Sequence, residues 1–229
     1  MQINKVKYLD LSGYMFSGKS AVSDLIREFD GFQVPDYHTE FDLIRILSGL
    51  SELRWCIVNN WSPMRADAGL RKFKKTIEML ARTPKGLKRL YQVGFGYERQ
   101  YPNIIEATTE FINNLTEDTW CMKWPHALLE LSAIDIFKTK FRAKVKGHFP
   151  WPEIDFSLVS PETFDKYANL YIYRLLAEKR AEGVHTVVTH NALEPYSPDV
   201  GFPLFNNVKS IVVDRDVRDI YMTSITQTP

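Results

Sequence analysis

An α/β fold with a mostly parallel central sheet is what this sequence predicts, and three observations carry the prediction. Short apolar, often β-branched segments alternate with longer stretches whose apolar residues recur every three or four positions. The first such segment, Tyr8-Leu9-Asp10-Leu11, runs through a glycine-bracketed turn, Gly13-Tyr14-Met15-Phe16-Ser17-Gly18-Lys19-Ser20, into a run with Ala21, Val22, Leu25, Ile26 and Phe29 at helical spacing. Two later segments, His185-Thr186-Val187-Val188-Thr189 and Ser210-Ile211-Val212-Val213, end in polar residues, where open α/β sheets place their sites.

The turn fits G-x-x-x-x-G-K-[ST] at every fixed position, with a strand before it and a helix after it. A loop that wraps a phosphate chain turns backbone N–H groups inward, which needs glycine where the main chain approaches closely or takes positive φ. Gly13 and Gly18 supply that. The helix start from Ser17 through Ala21 adds free N–H groups and a partial positive charge, and Lys19 and Ser20 reach phosphate oxygens or a phosphate-bound metal. The plainer alternative is a glycine turn that caps an ordinary helix. With the flanking pattern, the expected fold is P-loop NTPase-like: three layers around the sheet, with an inserted helical lobe over about residues 50–118.

A chain of 229 residues suits a single domain of this kind over residues 1–229. Hydrophobic content of 45% and charged content of 25% are those of a globular protein, and a net charge of +1 gives no strong overall field toward nucleic acid or membrane. Cys56 and Cys121 are too few for a disulfide framework or a zinc site, which fits a reducing, cytoplasmic home. Residues 1–7 lead straight into the first strand, no apolar run is long enough for a transmembrane segment, and the sequence reads as cytoplasmic. Thr223 to Pro229 falls in the helix expected after the last strand, so the chain is expected to be a fragment, truncated at its C-terminus.

Along the chain, Gly31 to Pro35 is a short second strand, followed at once by Asp36, His38 and Glu40. Thr39 and Asp42 suit the start of a helix to about Leu47; the cluster either only caps that helix or holds an acceptor or supplies a base, with Glu40 the first candidate for that role. Ser62 to Tyr101 reads as helical, opened by a Ser62-Pro63 cap and carrying Leu70, Phe73, Ile77 and Leu80 on one stripe. Arg71, Lys72, Lys74, Lys75, Arg82, Lys85, Lys88 and Arg89 give it a basic face, a solvated surface or a contact for an anionic acceptor. Asn103 to Leu115 is a further helix, and Thr119 to Trp124 a strand ending in Pro125-His126, with Lys123 and His126 at its tip. Gly147 to Pro152 is a loop, and Ser160-Pro161 opens a helix expected to run to Gly183.

The loop, the strand end Val188-Thr189-His190-Asn191 and the strand end Val213-Asp214-Arg215-Asp216-Val217-Arg218-Asp219-Ile220 together resemble the sulfotransferases that use phosphoadenosine phosphosulfate (PAPS). The resemblance implies that His190 is the general base, that Arg215 with Thr223 or its neighbour Ser224 holds the donor's 3′-phosphate, and that the acceptor is a hydroxyl of a carbohydrate or other small molecule. It implies no metal. Val188 and Val217 stand where the family carries lysine and proline, Asn191-Ala192 replaces Leu-Pro, and Phe16 replaces a loop lysine. Lys19 is then the group left to offset charge on the bridging oxygen. The alternative is a kinase using ATP with Mg²⁺, in which Ser210 to Asp214 is a Walker-B strand and Arg215 and Arg218 clamp phosphates. A nucleotide-binding module without catalysis is the third reading. Oligomeric state is not legible.

Overall fold

A computed structural model describes residues 5–36, 40–121, 131–151 and 153–227. The strand β1 (Lys7–Ser12) leads through the glycine-rich loop into α1 (Lys19–Arg27), and β2 (Phe32–Gln33) follows after a turn at Gly31. A helical stretch comes next: α2 (Leu50–Arg54), continued by a π-helical turn at Trp55–Asn59, then α3 (Pro63–Ala81) and α4 (Ile104–Leu115). After β3 (Asp118–Cys121), α5 (Ala133–Lys146) and β4 (Glu153–Phe156) comes α6 (Pro161–Leu176). The chain then returns through β5 (Thr186–His190) and β6 (Val208–Val212) to α7 (Val217–Gln227).

The central sheet has four strands in the order β2-β5-β1-β6, every pair parallel. Leu11 stands opposite His190 on one side and Ile211 on the other, so the ends of β5 and β6 flank the start of the loop. Alternation along the strands sorts the side chains between two faces. Leu9, Leu11, Val188 and Phe32 meet Val22 and Ile26 of α1, while Tyr8 and Val187 face the large core under α3, α4 and α6. That core centres on aromatic contacts: Phe111 stacks on Tyr171 at 5.0 Å between centroids, and Phe73 meets both rings edge-on. Buried to this depth, the Tyr171 hydroxyl shares a 2.8 Å hydrogen bond with Thr108, so its polar tip is satisfied.

Several expectations are corrected. The helix expected to run to about Leu47 does not form over the described residues; residues 41–49 make a run of turns. Ser48 takes a left-handed φ of 57°, and the Leu50 and Ser51 amides donate back to the Leu43 and Ile44 carbonyls, so helix starts only at Leu50. The segment to Tyr101 is one helix only as far as Ala81. Pro84 disfavours helical backbone at the residue before it, and Arg82 is already extended at ψ 139°. The strand expected at Thr119 is real, but every residue of β3 is exposed, and it pairs antiparallel with β4 in a separate two-stranded sheet. Lys123, His126 and Pro152 lie outside the described residues, as do His38 and Thr39. The helix expected to reach Gly183 stops at Leu176. The long α5 and the strand β4 went unpredicted, although Ser132 and Gly147 bracket α5 as N-cap and left-handed terminus.

Candidate functional site

The loop from Gly13 to Ser20 is shaped by two left-handed residues, Phe16 at φ 64° and Gly18 at φ 97°, and Gly18 is the N-cap of α1. Gly13 is glycine by necessity. A Cβ there would lie 2.6 Å from Ser17 Oγ and 2.7 Å from the Val213 carbonyl, so any side chain would close the loop against β6. Ser17 Oγ is buried inside this turn and meets no hydrogen-bond partner. A buried hydroxyl left unpaired costs stability unless a ligand satisfies it. The close approach at Gly13 and the orphaned Ser17 hydroxyl are both what a loop closing on an anion would have. Ser20 and Ala21 are exposed at the first turn of α1, with the Ala21 amide donating to Gly18.

Lys19 reaches from α1 to Glu40, Nζ to Oε1 at 3.3 Å. The same Oε1 accepts from Asn191 Nδ2 at 2.6 Å, and Asn191 Oδ1 accepts the Gly13 amide at 3.1 Å. One asparagine thus ties the loop to Glu40. Asn191 does this from a left-handed conformation, φ 53°, which asparagine tolerates better than most residues and which turns its amide back over the end of β5. Arg45 holds the other Glu40 oxygen at 3.4 Å, and Tyr97 donates to the Glu40 carbonyl at 2.9 Å. Burial, together with Asp42, holds the Tyr97 hydroxyl well above its ordinary pKa, so it acts as a donor here.

Beneath the loop lies Asp10, fully buried in the middle of β1. Its Oδ1 accepts from Thr189 Oγ1 at 2.8 Å and from the Ala192 amide at 2.9 Å; its Oδ2 accepts from the Leu193 amide at 3.2 Å and from the Ser12 hydroxyl. Burial pushes the Asp10 carboxyl above the usual range, against the pull of those donors. This carboxylate shapes the turn after β5 that presents Asn191. Sequence reasoning passed over it, and the signal was an acid inside an otherwise apolar strand.

His190 is buried, and its Nε2 lies 3.0 Å from Ser23 Oγ on α1. It also lines a cavity of about 240 Å³ with Val34, Pro35, Asp36, Phe41 and Tyr101. Its imidazole is therefore turned to α1 and this cavity, while Glu40 is the group in contact with Lys19.

At the far side of the loop, the Val213 amide donates to the Ser12 carbonyl at 2.8 Å, which sets the segment after β6 beside the turn. Two residues on, Arg215 Nη1 donates to Thr223 Oγ1 at 3.4 Å and its Nε lies 3.8 Å from Asp219. Thr223 stands on the first turns of α7, and its hydroxyl also bonds the Asp219 carbonyl at 2.7 Å. The Ser224 hydroxyl bonds Tyr221 instead. Of the two hydroxyls that could accompany Arg215, Thr223 is the one in contact. Two groups are thus assembled: Gly13, Ser17, Lys19 and Glu40 on one side, Arg215 with Thr223 on the other. Asn191 and Arg45 complete the first group.

The chain matches no protein-family model, no curated protein and no solved structure.

Proposed function

We propose that this protein is a P-loop transferase that moves a sulfuryl group from PAPS to a hydroxyl of a small acceptor. The observation that carries the reading is the contact between Arg215 and Thr223 at the end of β6, a strand hydrogen-bonded to the one that opens the loop. A guanidinium and a hydroxyl held together are a fitting pair for a 3′-phosphate, the group that distinguishes PAPS from ATP. The orphaned Ser17 hydroxyl and the narrow turn at Gly13 suit the 5′ end of the same nucleotide.

In-line transfer asks three things of the protein: to align the reactants, to take the acceptor's proton, and to offset charge on the leaving oxygen. Lys19 is suited to the last. For the proton, Glu40 is better placed than His190, because Glu40 shares a contact with Lys19 whereas the His190 imidazole meets Ser23. An anionic donor competes with Glu40 for Lys19, and the carboxylate, still held by Asn191 and Arg45, is then relieved of one cation and better able to accept a proton. Glu40→Gln is expected to stop turnover with donor binding kept, and His190→Ala to retain most of both.

The same Lys19–Glu40 pair suits a kinase, which differs in needing Mg²⁺. Calorimetry with PAPS, its desulfated product and ATP-Mg²⁺ separates the two. Binding of both 3′-phosphorylated nucleotides without metal is expected. Binding of ATP-Mg²⁺ alone makes the protein a kinase, and binding of none removes the nucleotide reading altogether.

A further inference from the structure

Helix α5 buries no side chain, yet its sequence is far from polar. Ile134, Phe137, Phe141 and Val145 are 66%, 70%, 61% and 71% exposed. At 100° per residue they fall within roughly 80° of one another, a continuous outward stripe. Phe137 and Phe141 stack along it at 6.4 Å. The opposite side carries Ile136, Thr139 and Ala143, all half-buried. The stripe therefore points away from the protein.

Charge frames it on both edges. Lys138, Arg142 and Lys146 run along one flank, Lys140 and Lys144 along the other, and every one is exposed. Asp135 is the single acid in the helix, and it is engaged with the Ser132 cap at 2.6 Å. Such a surface is costly in water and is not random: the apolar positions recur at three and four, and the cations are confined to the margins.

We propose that α5 is a membrane-surface helix, laid flat on an anionic lipid bilayer with the Ile134-Phe137-Phe141-Val145 stripe in the acyl boundary and the basic flanks among the headgroups. Charge placement selects this occupant. A second copy would bring identical cations against both flanks. A nucleic-acid duplex would meet the cations but leave the phenylalanines in water, and a single strand stacking its bases on the two rings would leave Ile134 and Val145 uncovered. An anionic bilayer satisfies all three strips at once, because lysine stems run along apolar surface while their ammonium groups reach phosphates. Among the described residues no helix is long and apolar enough to cross a membrane, so this contact lies on the surface.

The test is cosedimentation of the full chain with vesicles of phosphatidylcholine alone or with about one-third phosphatidylserine. Binding at least about tenfold stronger to the anionic vesicles is expected, weakening as salt shortens the screening length. Phe137→Glu with Phe141→Glu is expected to lose at least about tenfold with an unchanged melting curve, since both rings are exposed. Lys138→Gln with Arg142→Gln should reduce the preference for anionic lipid while keeping the fold. The loop residues Leu90 and Phe95, 83% and 67% exposed, are the control: their change to Glu should leave binding intact. Absent binding, equal binding to neutral vesicles, or loss in the loop variant alone would overturn the proposal. So would self-association without lipid that the Phe137/Phe141 variant abolishes, which would assign the stripe to a second copy. None of these readouts involves nucleotide.

Discussion

The two sides of the glycine-rich loop differ in how they are held. Toward β5, the loop rests on two buried polar residues, Asp10 with its donors and Asn191 between Gly13 and Glu40; the Glu40 carboxylate itself is 42% exposed, between Lys19 and Arg45. Toward β6, Arg215 and Thr223 meet at 3.4 Å on a surface where Arg215 is 41% exposed and Ile211 and Val212 are 42% and 47% exposed. Groups fixed in a low-dielectric setting cost little to organise when a ligand arrives, whereas exposed side chains lose rotamer freedom at that moment. Preorganisation therefore rests with Asp10 and Asn191 at the end of β5, while Glu40 and Arg215, equally exposed, adjust to the ligand.

The largest expected effect breaks the buried side. Asp10→Ala strands two backbone amides and the Thr189 hydroxyl in the core, while Ser12 keeps the Leu193 carbonyl, and a loss of about 3–5 kcal/mol in urea unfolding is expected. Next comes Lys19→Ala, expected to weaken every nucleotide by about 3 kcal/mol in calorimetry through the lost charge, with the fold intact. Arg215→Ala should cost about 2 kcal/mol for 3′-phosphorylated nucleotides only, leaving ATP and the melting temperature unchanged because the side chain is exposed. An equal loss for ATP would show that the β6 side does not discriminate. Thr223→Val, the mildest, should cost about 1 kcal/mol for the same ligands.

A pH series sharpens the contrast further. The Asp10 carboxyl is raised in the folded protein, so the folded state holds its proton to higher pH than the unfolded chain does. Its contribution to stability is fully present below the ordinary carboxylate pKa and is lost as pH rises through the raised one. Asp10→Asn removes that titration. The wild-type minus variant stability, from denaturation at successive pH values above the ordinary carboxylate range, should therefore fall as pH rises; a flat difference would contradict the raised value.

Much of this was legible. The strand, loop and helix from Tyr8 to Ile26, the stripes of α3, α4 and α6, and the final strands follow from periodicity and capping residues, because a strand or helix must bury the face its sequence makes apolar. Illegible were the turns from Phe41 to Gly49, where the bonds from Leu50 and Ser51 back to Leu43 and Ile44 override a plausible cap, and the antiparallel partnership of β3 with β4 across 31 intervening residues (122–152). Helix α5 was missed although its spacing was there to read.

For the site, the sequence by itself determined the glycine turn with its lysine and the presence of an arginine after the last strand, since these depend on neighbours a few positions away. Only the tertiary structure decided that Glu40 meets Lys19, that Asn191 ties Glu40 to the Gly13 amide, that His190 turns to Ser23, and that Thr223 rather than Ser224 meets Arg215. Each of those choices joins residues brought near by strand order or by one turn of helix, and a side chain's direction there is set by packing and hydrogen bonding that no local pattern encodes.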